Sequence, residues 1–119
     1  MKYDIDELAF QIHSNAIDKG FWEANNGLIF YMKQIAMIHS EATEVLEAMR
    51  KEEGGDSVVK ELADIIIRTL DLWAGLVRDG YTNKSIEESL VEKVKYKTER
   101  DRMESGEQHS PSSGSSDVP

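Results

Sequence analysis

The 119-residue chain contains no cysteine and only two prolines, both near its C-terminal end. Without cysteine it can form no disulfide, no thiolate zinc site and no cysteine nucleophile. Because proline interrupts helices, residues 1–110 lack that kind of helix break. Long apolar runs are missing as well, since the most apolar stretch, residues 62–77, is interrupted by three charged side chains and predicts no membrane span. The chain is therefore typical of a single small domain.

Basic residues are also scarce, with 14 Lys and Arg against 23 Asp and Glu and a formal net charge of -9. Nucleic-acid backbones attract clustered Lys and Arg, so we expect no nucleic-acid partner. Eight acidic and three basic residues give the segment 41–64 a net charge of -5, whereas residues 93–102 hold five basic and two acidic residues. The first seven residues lack the apolar run of a secretory signal, and we expect a cytoplasmic protein without a membrane partner.

Apolar spacing and turn residues predict four helices separated by short turns. The predicted helices span about residues 4–19, 28–53, 56–78 and 84–103. We expect Asp56 or Ser57 to cap the third helix. Together the helices predict an all-α, four-helix antiparallel bundle over residues 1–104. Residues 105–119 are rich in Ser, Gly and Pro, which predicts a disordered tail.

Apolar residues surround well over half of the predicted third helix. A monomer of this size would have difficulty covering that surface, so we expect a homo-oligomer, either a dimer or a tetramer built from two dimers. A central position of this helix in the bundle is the alternative explanation. We expect Phe21, Phe30 and Trp73 to lie in the core.

Two pairs of carboxylates flank the predicted Gly-Gly turn between the second and third helices. Glu41 and Glu44 lie three residues apart before the turn. Glu61 and Asp64 repeat this spacing after it. In antiparallel helices the two pairs can face each other, and the four carboxylates would raise one another's pKa unless a cation neutralised them. Such hard oxygen ligands favour Mg²⁺, with Mn²⁺ as a substitute.

Glutamates three residues apart are also common on solvated helix faces. A ferritin-like di-iron bundle is excluded because it needs Glu-x-x-His on two helices. None of the three histidines, His13, His39 and His109, follows a glutamate by three positions. We expect Asp71 either to support the site from outside the ligand shell or to form an ion pair with Arg68.

The segment from Glu41 to Asp64 resembles the E-x-x-E…E-x-x-D signature of MazG-type nucleotide pyrophosphohydrolases, which belong to the all-α NTP pyrophosphatase superfamily. The likeness extends over about residues 5–103. It implies Mg²⁺-dependent hydrolysis of a (d)NTP to a (d)NMP and pyrophosphate, in nucleotide pool control or sanitation. It also implies that Glu41, Glu44, Glu61 and Asp64 bind the metal. Glu41 or Glu44 would in addition activate the attacking water.

The same resemblance implies roles for residues outside the acidic pairs. Lys93, Lys97 and Arg100 share one helical face and would bind substrate phosphates, although Lys97 stands where relatives usually have Asn. An exposed basic helix end is the alternative. His13 and Trp22 would hold the nucleobase, unless Trp22 only anchors its loop.

Two other functions remain open on sequence grounds. One is a relative with a narrower substrate, such as dUTP or phosphoribosyl-ATP. The other is a non-catalytic helical module whose acidic face binds a basic partner.

Overall fold

A computed structural model describes residues 4–108 of the chain, with side chains up to residue 104. This part of the chain contains four helices and no strand, which confirms the predicted all-α class. The helices are α1 (Ile5–Asp18), α2 (Leu28–Arg50), α3 (Gly55–Arg78) and α4 (Ile86–Gln108). The chain divides into two units, one holding α1 to α3 up to Asn83 and one holding α4 from Lys84 onward. None of the described helices carries an apolar stretch long enough to cross a bilayer.

The helix ends follow local backbone chemistry. Asp4 caps α1, because its carboxylate accepts the backbone N–H groups of Asp6 and Glu7 at 2.8 and 3.3 Å. The prediction that Asp56 or Ser57 caps α3 is wrong. Gly54 is the N-cap with a φ of 101°. Asp56 lies within the first turn, where its negative charge interacts favourably with the helix dipole.

Two helix ends lie away from their predicted positions. α2 ends at Arg50, three residues before the predicted end, and Glu52 adopts a left-handed φ of 52° in the turn that follows. α4 continues to Gln108, so it includes the first four residues of the predicted tail. The remainder of that tail, residues 109–119, lies outside the described residues.

Helix α3 contacts both α1 and α2. Arg68 of α3 pairs with Glu41, whereas Asp79, the C-cap that follows α3, accepts a hydrogen bond from Tyr31, earlier on α2. The residue numbers on α2 therefore fall as those on α3 rise, so the two helices are antiparallel. The buried core of this unit comprises Ala16, Trp22, Phe30, Tyr31 and Leu72, with Ile17, Ile38 and Leu76 packed against it.

The predicted core is only partly correct. Phe30 is buried and Trp73 is half-buried, but 63% of Phe21, which lies in the loop after α1, is exposed. Large apolar side chains are also exposed along α2 and α3: Ile29, Met32, Ile35, Leu46, Met49, Val59, Leu62 and Ile66. We call these eight residues the exposed apolar surface.

Candidate functional site

Three of the four predicted metal ligands come together between α2 and α3. Carboxylate oxygens of Glu41, Glu61 and Asp64 lie within 4.8 Å of one another. Glu41 lies on α2 and the other two residues on α3, and the antiparallel packing of these helices brings them to the same height. Glu44, one turn beyond Glu41, is exposed and lies outside this group. We refer to Glu41, Glu61 and Asp64 as the acidic cluster.

Negative charge is poorly compensated at Glu61. Its partial burial raises the pKa of the Glu61 carboxyl above the ordinary 4.5. The neighbouring charge of Glu44 raises this pKa further, followed by those of Asp64 and Glu41. The other three acids predicted from the sequence thus act electrostatically on Glu61, and a bound cation would relieve this repulsion.

The donor set of the acidic cluster fits a small divalent cation. Mg²⁺ binds oxygen ligands at about 2.1 Å, so ligands on opposite sides of the ion lie about 4.2 Å apart. The carboxylate oxygens of the acidic cluster lie within 4.8 Å of one another, so side-chain rotations could bring them into the shell of one ion. Carboxylates are also the ligands that Mg²⁺ and Mn²⁺ prefer.

One cation already contacts the acidic cluster. Nε of Arg68 donates a hydrogen bond to Oε2 of Glu41 at 2.7 Å, with 36% of the Arg68 side chain and 13% of the Glu41 side chain exposed. Within residues 4–104, Arg68 is the only basic residue that forms an ion pair with any of the four predicted ligands. The alternative expectation that Arg68 pairs with Asp71 is wrong, because Arg68 reaches across to α2 whereas Asp71 bonds to His13 on α1.

Asp71 joins the two predicted nucleobase residues. Oδ1 of Asp71 lies 2.8 Å from Nδ1 of His13, and since a carboxylate only accepts, Nδ1 carries the proton. Nε1 of Trp22 donates to both carboxylate oxygens of Asp71 at 3.0 and 3.2 Å. The rings of His13 and Trp22 meet edge to face at 4.6 Å, and only 2% and 5% of the two residues are exposed. Trp22 is therefore an anchor of its loop, and a nucleobase role for either residue stays a prediction.

Sequence reasoning missed this network because its members are far apart in the chain. Asp71 lies 58 residues from His13 and 49 residues from Trp22, so no helical spacing connects them. The sequence contained one indication of this network, Asp71 itself, since a carboxylate on a largely apolar helix needs hydrogen-bond donors from neighbouring residues.

An open cleft of about 470 Å³ adjoins the acidic cluster. Its lining includes Glu41 and Asp64 together with Asn15, Lys19 and Arg68. The cleft thus brings carboxylates and basic side chains to one surface, an arrangement suited to an anion bound together with a cation. The contribution of Lys19 and Asn15, at the end of α1, was not foreseen from the sequence, because neither belongs to a motif.

The predicted phosphate-binding residues lie on α4. The charged groups of Lys93 and Arg100 are each 6.0 Å from the ring centre of Tyr96, and Nε of Arg100 is 3.7 Å from Oδ1 of Asp101. Lys97 is half-buried. These residues belong to the unit that contains α4, and their role toward phosphate stays a prediction.

Comparisons of the chain with protein-family models, with curated proteins and with solved structures gave no match. The resemblance to MazG-type enzymes therefore depends on the sequence motif alone.

Proposed function

We propose that this chain is a Mg²⁺-dependent nucleoside triphosphate pyrophosphohydrolase of MazG type, which converts a (d)NTP to a (d)NMP and pyrophosphate. The observation that carries the proposal is the convergence of Glu41, Glu61 and Asp64 within 4.8 Å, because all three belong to the E-x-x-E…E-x-x-D pattern. The biological role would be control or sanitation of the nucleotide pool, in the cytoplasm.

The residues around the acidic cluster suit this reaction. Glu41, Glu61 and Asp64 would hold the metal, which when bound supplies charge neutralisation and an acidified water. Glu44 is exposed and makes no ion pair among the described residues, so its carboxylate is available to orient the attacking water and accept its proton. Attack at the α-phosphorus breaks the bond to the bridging oxygen and releases pyrophosphate.

The basic residues would bind the negative charge of the substrate. Lys19 and Arg68 line the cleft beside the acidic cluster, where they can hold phosphate oxygens. Lys93, Lys97 and Arg100 of α4 are the further phosphate ligands that the family resemblance implies.

We also propose that the chain forms a homodimer or a tetramer built from two dimers. The exposed apolar surface supports this assembly, because burying large apolar side chains against a second copy of the chain removes them from water. Sedimentation velocity of the full chain is expected to give a mass at least twice that of the monomer. A monomer at micromolar concentration would contradict the assembly.

The test of the activity is pyrophosphate release from standard and aberrant dNTPs, dUTP and phosphoribosyl-ATP in the presence of Mg²⁺. Wild type is expected to hydrolyse at least one of them and Glu61→Gln none. Glu47→Gln is the matched control, since Glu47 lies on α2 in an ion pair with Arg50 rather than in the acidic cluster. Activity on dUTP or phosphoribosyl-ATP alone would identify the narrower-substrate relative.

A negative result would be equally informative. If no nucleotide is hydrolysed and Mg²⁺ leaves the melting temperature unchanged, the enzyme proposal is wrong. The acidic surface would then be explained better by a non-catalytic helical module with a basic partner.

A further inference from the structure

The ion pair between Arg68 and Glu41 occupies one of the two carboxylate oxygens of a proposed metal ligand. Nε of Arg68 lies 2.7 Å from Oε2 of Glu41, a short charge-assisted hydrogen bond. Only 13% of the Glu41 side chain is exposed, so water cannot readily replace this partner. A cation that binds Glu41 through this oxygen must therefore compete with Arg68.

A single guanidinium does not neutralise the acidic cluster. Arg68 brings one positive charge to a site with Glu41, Glu61, Asp64 and the nearby Glu44. The remaining repulsion is visible at Glu61, whose pKa is raised by its partial burial and by the three neighbouring acids. A divalent cation on the acidic cluster would compensate the charge better than Arg68 does.

The Arg68 guanidinium and a divalent metal ion would repel each other if both bound the carboxylate of Glu41. A guanidinium and a divalent ion on one carboxylate repel each other over a few ångströms, an interaction that is weakly screened beside a protein surface. Arg68 is 36% exposed and has a long stem, so its guanidinium can leave Glu41 without disturbing α3. It also lines the open cleft with Lys19 and Asn15, where a phosphate would be a suitable new partner.

We propose that Arg68 is an exchangeable internal counterion, which holds Glu41 in the metal-free protein, yields it to a divalent cation and then binds a phosphate group in the cleft. This inference rests on the proposed metal-dependent function. It assigns to Arg68 a role that the acidic motif does not contain.

The first test measures Mg²⁺ binding to the full chain by isothermal titration calorimetry. Arg68→Gln is expected to bind Mg²⁺ about tenfold more tightly than wild type, because the competing charge is gone. Arg50→Gln is the matched control. It also removes a guanidinium from an ion pair with an α2 glutamate, but at an exposed pair outside the acidic cluster, and is expected to bind like wild type. Should Arg68→Gln fail to fold, Arg68→Lys, which loses the Nε bond but keeps the charge, is expected to bind Mg²⁺ more tightly by a smaller factor.

The second test measures binding of inorganic pyrophosphate at saturating Mg²⁺. Here Arg68→Gln is expected to bind about tenfold more weakly than wild type, since one charge-assisted contact is lost. The same substitution thus changes the two affinities in opposite directions, which a general loss of structure would not do.

Two results would overturn the inference. One is Mg²⁺ binding by Arg68→Gln that is no tighter than that of Arg50→Gln, which would mean that Arg68 positions Glu41 for the metal. The other is unchanged pyrophosphate binding. After either result the proposed function still stands, provided that wild type binds Mg²⁺ and hydrolyses a nucleotide in its presence. If neither wild type nor Arg68→Gln binds Mg²⁺, both proposals fail together.

Discussion

The carboxylates at the C-terminal end of α3, Asp71 and the C-cap Asp79, differ from those in the first half of α3 in the partners that surround them. Asp79 accepts hydrogen bonds from the hydroxyl of Tyr31 at 2.6 Å and from Nδ2 of Asn25 at 2.8 Å. The bond from Tyr31 is the main reason that the pKa of Asp79 is lowered, and the bond from Asn25 adds to it. Asp71 likewise accepts from His13 and Trp22.

In the first half of α3, acidic side chains lie beside other acidic side chains. Glu61 and Asp64 accept no side-chain hydrogen bond from any residue that the structure describes, and the pKa of Glu61 is raised. A carboxylate surrounded by donors stabilises the fold, whereas one surrounded by carboxylates destabilises it until a cation binds. One helix therefore carries a structural end and an end suited to a ligand.

The largest contrast is expected when the same substitution is made at both ends. If the proposed activity is present, Asp64→Asn should lower pyrophosphate release by about 100-fold or more, because a proposed metal ligand is lost. Its thermal stability without metal should be unchanged or higher, since a like charge beside Glu61 is removed. Asp79→Asn should instead lower the free energy of unfolding by about 1–2 kcal/mol, because its bonds with Tyr31 and Asn25 weaken. Equal destabilisation by the two substitutions would remove the proposed difference between the ends.

A glycine pair tests how tightly the two ends are packed. A Cβ at Gly75 would overlap the ring of Trp22, whereas a Cβ at Gly55, in the first turn of α3, would meet nothing within 4 Å. Gly75→Ala is expected to lower the free energy of unfolding by about 2 kcal/mol through overpacking. Gly55→Ala is expected to be neutral or slightly stabilising, because alanine favours helix. Urea denaturation of both variants measures the difference, and similar midpoints would contradict the packing seen at Trp22.

A tyrosine pair tests the hydrogen bond at the structural end. Tyr31→Phe removes the donor to Asp79 and is expected to lower the free energy of unfolding by about 1 kcal/mol. Tyr81, whose ring lies edge to face with that of Tyr31 at 5.5 Å, is 64% exposed. Tyr81→Phe keeps the ring contact, so it should change stability by less than about 0.5 kcal/mol. A matching loss in both variants would point to the rings rather than to the Asp79 bond.

The smallest effect is expected in the pH dependence of stability without metal. Because the folded pKa of Glu61 is raised, the native state binds more protons than the unfolded state above the ordinary 4.5, and stability should rise as the pH falls through that window. Asp79 has the opposite sign: its contribution is complete above the ordinary 3.8 and is lost as the pH falls through its lowered folded pKa. Melting temperatures measured across this pH range should rise as the pH falls toward 4.5 and should fall again as the pH drops below 3.8.

Glu61→Gln or added Mg²⁺ should remove only the pH dependence above 4.5, which is attributed to Glu61. If the pH dependence above 4.5 persists in Glu61→Gln, another group causes it.

The helices and the acidic pairs were predictable because both depend on local spacing. Positions such as Glu41 and Glu44, or Glu61 and Asp64, share a helix face whatever the helix packs against. The exposure of Phe21, the cap at Gly54 and the partners of Asp71 were not predictable in this way. Each depends on the backbone path in a loop or on the angle between helices, which periodicity does not report.

By itself, the sequence determined the helical class of this protein and the placing of Glu41 with Glu44, and of Glu61 with Asp64, on one side of each helix. Only the tertiary structure decided that Asp71 and Asp79 would be surrounded by donors while Glu61 would be left among other acids. The physical reason is that a carboxylate's charge and pKa depend on groups a few ångströms away, and those groups come from parts of the chain up to 58 residues distant. The same packing placed Arg68 on Glu41, where no spacing rule would have put it.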